Sequence, residues 1–326
     1  MTAPGLTIKE LCLPGAPAMN RDLDGSVALI SGGGRGFGRF LARTLAARGA
    51  AVALIARSGD QLSATVAEIT AAGGAAAAAP ADIADPEATA SALKELQAQR
   101  GRPDLLINNA GIHGPIAPLW ETEHAEWWRT IEVNLGGAYT LTRAVLPEMI
   151  AAGRGRIINI TSRAGVYRWP LNSAYAASKA ALVKLTETLA VETRRHGLSV
   201  FSVDPGLLPI GLSADAIQDA AGTNTPEDRV FAWVRNRIAN GHGADPAQAA
   251  ELVAQIATGR GDRLSGRHLT VDDDLDSLLA RIDDIKHRDL HTLRLRTGGE
   301  SHPPETPLRP TPSSRTGPPT KDVERS

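Results

Sequence analysis

The chain has 326 residues, 42% of them hydrophobic and 22% charged, with a formal net charge of −1 and one cysteine, Cys12. That length admits one large α/β domain with tails, or two domains, and the charge balance gives no reason to expect a nucleic-acid or membrane-surface partner. A lone cysteine excludes an internal disulfide or a multi-cysteine metal site; with no signal-like opening and no run near the roughly 18 apolar residues that span a bilayer, the expectation is a soluble cytoplasmic protein.

Residues 1–25 mix proline, glycine and scattered leucine and read as an irregular N-terminal arm. From 26 onward, short apolar runs alternate with stretches that are apolar at helical spacing. The runs, at 27–30, 52–55, 75–79, 105–108, 156–160, 198–203 and 268–271, predict strands. The stretches 37–48, 59–72, 86–100, 123–152 and 173–196 predict helices between them. Strands separated by helices of this length form βαβ units, so the expected fold class is α/β: a Rossmann-type doubly wound parallel sheet of about seven strands with helices on both faces. The run 75–79 is all alanine, which favours helix, and only its place in the alternation argues for a strand. After Pro205 the pattern loosens into a lid over about 207–243 with a helix at 227–239, then a helix at 246–258. One domain thus covers 26–273, a charged helical extension follows at 274–296 with a final helix expected over 275–290, and a proline-rich tail at 297–326 cannot bury enough surface to offset its ordering entropy.

The first strand runs into Ser31-Gly32-Gly33-Gly34-Arg35-Gly36-Phe37-Gly38 and then a helix. Glycines let a backbone turn sharply and approach a pyrophosphate, and the helix start offers unpaired N–H groups and a positive dipole end. The spacing Gly32-x3-Gly36-x-Gly38 resembles the TGxxxGxG signature of the short-chain dehydrogenase/reductase (SDR) family, with Ser31 in place of the usual Thr. Further motifs extend the resemblance over roughly 24–272. Asp82-Ile83 is similar to the adenine-contacting Asp-Val, Asn108-Asn109-Ala110-Gly111 to the NNAG motif along the cofactor, and Asp204-Pro205-Gly206 to the Pro-Gly turn after the sixth strand. The family's frequent Thr four residues past that glycine is Ile210 here, so backbone near Leu208–Ile210 must substitute in holding the nicotinamide.

The end of the second strand bears on the cofactor. A carboxylate there would accept from a ribose 2′-OH and repel a 2′-phosphate. The chain has Ala56-Arg57-Ser58 instead, and Arg57 with Arg35 can pair a phosphate, which points to NADP(H) over NAD(H). The alternative is that both arginines are solvated surface residues.

Tyr175 and Lys179 stand four apart on a helix and share a face. A tyrosine ordinarily keeps its proton to about pH 10, and a nearby ammonium lowers that value and makes the phenol a usable acid and base. Ser162 lies thirteen residues upstream at the end of the fifth strand, with Thr161 as its rival. The set matches the family's Ser–Tyr–Lys triad, and Asn134 its fourth member. The resemblance implies that Ser162 binds the substrate oxygen and that Tyr175 gives or takes its proton. By the same resemblance Lys179 tunes Tyr175 and holds the nicotinamide ribose, and Asn134 anchors a water on a proton relay.

The expected activity is NADP(H)-dependent reduction of a ketone, or oxidation of the matching secondary alcohol, as a ketoreductase of secondary metabolism. Other readings are a mainly oxidative alcohol dehydrogenase, a catalytically silent NADP-binding sensor, and a partner-docking role for the tail. His113, Trp120, Tyr167, Arg168, Trp169, Phe231 and Trp233 fall in the segments that should wall the pocket, which suits a flat, aromatic or polycyclic substrate; alternatively several only fill gaps between loop and sheet. Arg229, Arg235 and Arg237 greet an anionic substrate or form a solvated helix face. Trp127 and Trp128, adjacent on a helix, should point apart with one in the core. No histidines are spaced as a metal set. The resemblance implies a homodimer or homotetramer through the helices over 123–152 and 173–196.

Overall fold

The computed structural model describes residues 21–214 and 225–295; Cys12, most of the expected N-terminal arm, the middle of the expected lid and the tail at 297–326 lie outside them. Among the described residues the chain builds β1 (Val27–Ser31), α1 (Gly36–Ala47), β2 (Ala51–Ala56), α2 (Gly59–Ala71), β3 (Ala75–Pro80), α3 (Pro86–Arg100) and β4 (Leu105–Asn108). There follow α4 (His124–Ile131), α5 (Gly137–Ala152), β5 (Gly155–Ile160), α6 (Ser173–Thr193) and β6 (Leu198–Asp204). The last elements are α7 (Pro226–Arg237), α8 (Pro246–Ala257), β7 (His268–Thr270), α9 (Leu275–Ala280) and α10 (Ile282–His287).

The strands form one parallel seven-stranded sheet in the order β3-β2-β1-β4-β5-β6-β7. Successive side chains of a strand face opposite ways, and both faces are packed. Ala28, Ile30, Leu54, Ile158 and Val203 face one layer with α1 and α8, while Leu29, Ala53, Leu106, Ile157 and Val200 face the other with α3 and α5. The alanine run is a strand, paired along its length with β2, because ladder bonds and packing between layers outweigh its helical preference. Sheet order reverses between β1 and β4, which opens a crevice at their carboxyl ends, where open α/β sheets bind ligands.

Two helical expectations need correction. The stretch 123–152 is not one regular helix: α4 and α5 are joined through a π-helical turn, Glu132–Gly136, that carries Asn134. The stretch 275–290 is two short helices broken at Arg281. Beyond them the backbone folds back onto β7. His268 N–H donates to the His291 carbonyl at 2.8 Å, and the Arg267 guanidinium holds the Leu290 carbonyl at 2.9 Å and Asp289 at 2.7 Å. No described helix is long and apolar enough to cross a membrane.

Candidate active site

The crevice at the switch point is a cavity of about 660 Å³, within the range of small-molecule and cofactor sites. Its floor is the loop between β1 and α1. Gly32 turns at φ +69°, a conformation L side chains avoid. The Gly38 α-carbon faces the Gly32 carbonyl, so that a Cβ there would lie 2.2 Å from the oxygen. Helix α1 starts at Gly36 with no side-chain cap and no acid in its first turn, whereas Ser58 caps α2 and Asp85 caps α3. Its first N–H groups and positive dipole end are therefore offered to whatever anion enters the crevice. A dinucleotide phosphate fits that cradle.

Of the predicted cofactor residues, Gly32, Gly34, Arg35, Gly36, Phe37 and Gly38 line the cavity along the loop. Arg57, Ser58, Asp82 and Ile83 line it at the β2 and β3 ends, and Asn109, Ala110 and Gly111 beside β4. Pro205, Gly206 and Leu208 line the far side. Ser31 does not: its hydroxyl accepts the backbone N–H groups of Asn109 and Ala110, both at 3.0 Å, and ties β1 to β4. It holds the two walls of the crevice at fixed spacing. Arg35 and Arg57 are both exposed at the rim. Burial pushes the Asp82 carboxyl up, but the Ala84 N–H, the Arg129 guanidinium and the nearby Arg57 together hold it below the usual carboxylate range.

At the other end of the cavity β5 and α6 bring three predicted residues together. Gly165 packs so closely on α6 that a Cβ there would lie 2.7 Å from the Lys179 carbonyl carbon. This contact presses the loop after β5 onto the helical turn of Lys179 and places Ser162 within hydrogen-bonding reach of Tyr175. Thr161, the rival, is buried and directed at His268 Nδ1, 3.4 Å away. The Lys179 ammonium, 4% exposed, donates to the Ile160 carbonyl at 2.9 Å and stands 5.6 Å from the Tyr175 ring centroid.

The phenol departs from the expected direction. Burial pushes Tyr175 up to about 12, against the Ser162 hydrogen bond and with help from the Asp204 carboxylate. Burial also pushes Lys179 down to about 8, opposed by Asp204. At this half-buried position on the cavity wall, desolvation of the phenolate outweighs the stabilisation a neighbouring ammonium was expected to give.

Asn134 sits behind this wall, buried, with Oδ1 accepting Ile112 N–H at 2.8 Å and Nδ2 donating to the Ile112 carbonyl and Ser178 Oγ, each at 3.0 Å. Its side chain fixes the strand-end segment 110–112 against α6 and has no group directed into the cavity.

Of the expected pocket aromatics, His113 lines the cavity with its ring 5.7 Å from Tyr175. Trp169 and Trp233 meet edge to face at 5.5 Å, with the Arg237 guanidinium 5.8 Å over the Trp233 ring. Phe231 is buried against Ile116 and fills a gap, while Trp120 and Tyr167 are 84% and 70% exposed and wall nothing. Arg168, Arg229 and Arg235 are exposed. Trp127 and Trp128 touch edge to face at 5.1 Å rather than pointing apart, and Trp127 is only half-buried, donating to Ser173 Oγ at 3.0 Å. Gln61 and Gly211 line the cavity without having been singled out, and Asp204, named only as the residue before the Pro-Gly turn, lines it too. Asp204 alone left a trace in the sequence, as an acid at the end of a buried strand next to the Pro-Gly turn. No group of histidine, cysteine or carboxylate side chains among the described residues is arranged to hold a metal.

The model of the family described as short chain dehydrogenase matches residues 26–220. A short chain dehydrogenase of Pseudocercospora fijiensis is 35% identical over 264 residues, 79% of this chain and 83% of that protein. A 2-dehydro-3-deoxy-L-rhamnonate dehydrogenase (NAD(+)) of a Sphingomonas species is 39% identical over 181 residues, 56% of this chain and 71% of that protein. Among solved structures, actinorhodin polyketide ketoreductase with NADPH superposes with a TM-score of 0.69 at 28% identity, covering 78% of this chain and 97% of that one.

Proposed function

The chain belongs to the short chain dehydrogenase family of oxidoreductases, and on that premise we propose that it is an NADP(H)-dependent ketone reductase of secondary metabolism with Tyr175 as its proton donor. The observation that carries this reading is the convergence of Ser162, Tyr175 and Lys179 on the cavity whose other end is the glycine loop. The bound nicotinamide would supply the hydride. Gly32 to Gly38 and the start of α1 would hold the pyrophosphate, and Arg57 and Arg35 a 2′-phosphate. Lys179 would hold the nicotinamide ribose. Ser162 donates to the substrate oxygen and steadies charge developing there. Tyr175, protonated at neutral pH, delivers its proton to that oxygen. Asn134 keeps the wall behind Lys179 in register. An NADPH-bound ketoreductase among the structural relatives supports the choice of cofactor and reaction, and the NAD(+)-dependent relative defines the competing cofactor. Domain limits of 26–273 for the catalytic unit and 274–296 for the extension, and a homodimer or homotetramer through α5 and α6, belong to the same proposal; exposed Tyr139 and Val191 on those helices support the latter.

The test is NADPH consumption against a panel of aromatic and aliphatic ketones, with NADH as control. The expected result is turnover with NADPH that Tyr175→Phe abolishes while NADPH still binds. Unchanged turnover in that variant removes the mechanism, and equal rates with NADH remove the argument from Arg57.

A further inference from the structure

His113 has no part in the proposed reaction, yet it reaches from one wall of the cavity to the other. It follows Ile112, whose backbone N–H and carbonyl are both held by Asn134. The imidazole therefore projects into the cavity from a fixed point, with its ring 5.7 Å from that of Tyr175. Its Nε2 lies 3.2 Å from the Leu212 carbonyl. A carbonyl oxygen only accepts, so Nε2 carries the proton and donates. Leu212 belongs to the segment after β6, of which Leu208, Ile210, Gly211, Leu212 and Ser213 line the cavity. The base of that segment is secured, because Leu208 is buried and the Leu207 carbonyl accepts the Ala244 N–H at 2.9 Å. Farther out, Ile210 offers no hydrogen bond from its side chain, which packs on the core. Gly211 instead lies backbone against backbone on Gly36, the first residue of α1, so that a Cβ on Gly36 would stand 2.7 Å from the Gly211 α-carbon. Both glycines take left-handed backbone, at φ +52° for Gly36 and +61° for Gly211. The segment is thus a strap from the phosphate cradle to Tyr175, resting on Gly36 at one point and bonded to His113 at the next residue.

We propose that His113 is a positioning residue that holds this strap across the nicotinamide half of the cavity, so that the cofactor meets a wall already in place. Backbone packing at Gly36 has no directional preference, whereas the bond from Nε2 fixes the strap to the opposite wall. A segment ordered before binding spares the ligand the entropy cost of ordering it. The other half of the cavity is independent of this contact. Arg57 and Asp82 line it at the ends of β2 and β3, and β1, β4 and β5 separate those strands from β6. The proposal rests on the reading of the cavity as a dinucleotide site, but it concerns retention of one half of that dinucleotide and needs no substrate.

The test titrates the full-length protein with NADPH and with adenosine 2′,5′-bisphosphate, which carries the adenosine half and its phosphate but no nicotinamide. His113→Phe keeps a ring beside Tyr175 and loses the donor. It should bind NADPH about fivefold more weakly than the parent, the effect of one lost hydrogen bond, and bind the bisphosphate as the parent does. His113→Gln, whose amide N–H can reach the Leu212 carbonyl, should recover the parent's NADPH affinity. His113→Ala takes the place of the phenylalanine variant if the latter does not fold. A donor-less variant that binds NADPH as tightly as the parent, or that loses both ligands alike, would overturn the proposal, as would a glutamine variant no better than phenylalanine. A parent that prefers NADH faults the cofactor preference alone, and the same comparison then runs with NADH and AMP. A parent that shows the expected pattern but reduces no ketone faults the proposed activity and leaves this inference standing.

Discussion

A Cβ on Gly38 would lie 2.2 Å from the carbonyl oxygen of Gly32 and 2.5 Å from the side-chain nitrogen, Nδ2, of Asn109. Both neighbours are fixed, because Asn109 Nδ2 donates to the Ser31 carbonyl at 2.9 Å. Gly38→Ala must therefore push the loop off β4. Overpacking of this kind costs about 1–3 kcal/mol. NADPH affinity measured by fluorescence titration should fall at least tenfold, with a lower urea midpoint; unchanged affinity would disprove the tight cradle.

Arg57 stands exposed at the rim, where a charged hydrogen bond to phosphate is worth about 1.5–3 kcal/mol. Arg57→Ala should weaken NADPH binding by about tenfold or more and leave NADH binding within about twofold. Parallel calorimetric titrations with the two cofactors decide it; an equal loss for both would make Arg57 a general structural residue.

Trp169 and Trp233 join the loop after β5 to α7, and a ring pair of this geometry is worth about 0.5–1.5 kcal/mol. Trp233→Ala should raise KM about fivefold for whichever ketone the panel selects, with NADPH affinity unchanged. A drop in kcat at constant KM would count against the pair contributing to substrate binding.

His268 is held down to about 4, chiefly by burial, although Asp273 pulls it upward and His291 pushes it further down. In the unfolded chain it takes a proton near pH 6.5. Between these values the unfolded state binds more protons, so stability declines as pH falls from about 6.5 to about 4, by up to about 3 kcal/mol. Urea unfolding at pH 7.5 and pH 5 should show that decline in the parent and a smaller one in His268→Gln. Equal declines would mean that other groups carry the acid sensitivity.

The framework and the glycine loop were legible because both are local: a strand is a short apolar run, and a phosphate turn is written in consecutive glycines. Ser162, Tyr175 and Lys179 were legible because their spacing projects them onto one sheet edge. What sequence hid was set by contacts between distant segments. The π turn at Asn134 answers to Ile112 and Ser178, and nothing in 123–152 announces it. The direction of the Tyr175 shift depends on how deeply the phenol is enclosed and on a carboxylate from another strand, and i, i+4 spacing reports neither. Phe231 and Trp120 looked alike as pocket aromatics, yet one is buried and the other 84% exposed, because only the packing of α7 on Ile116 separates them.

The return of Asp289–His291 onto β7 has a consequence away from chemistry. Asp289 and His291 adopt left-handed backbone, φ +52° and +59°, which side chains rarely take. That geometry brings the Leu290 and His291 carbonyls to Arg267 and His268. An outermost strand normally offers its unpaired amides as a template for a neighbour's strand. Here the chain occupies that template itself, so another polypeptide would have to peel away an arginine clamp before it could extend the sheet from this side.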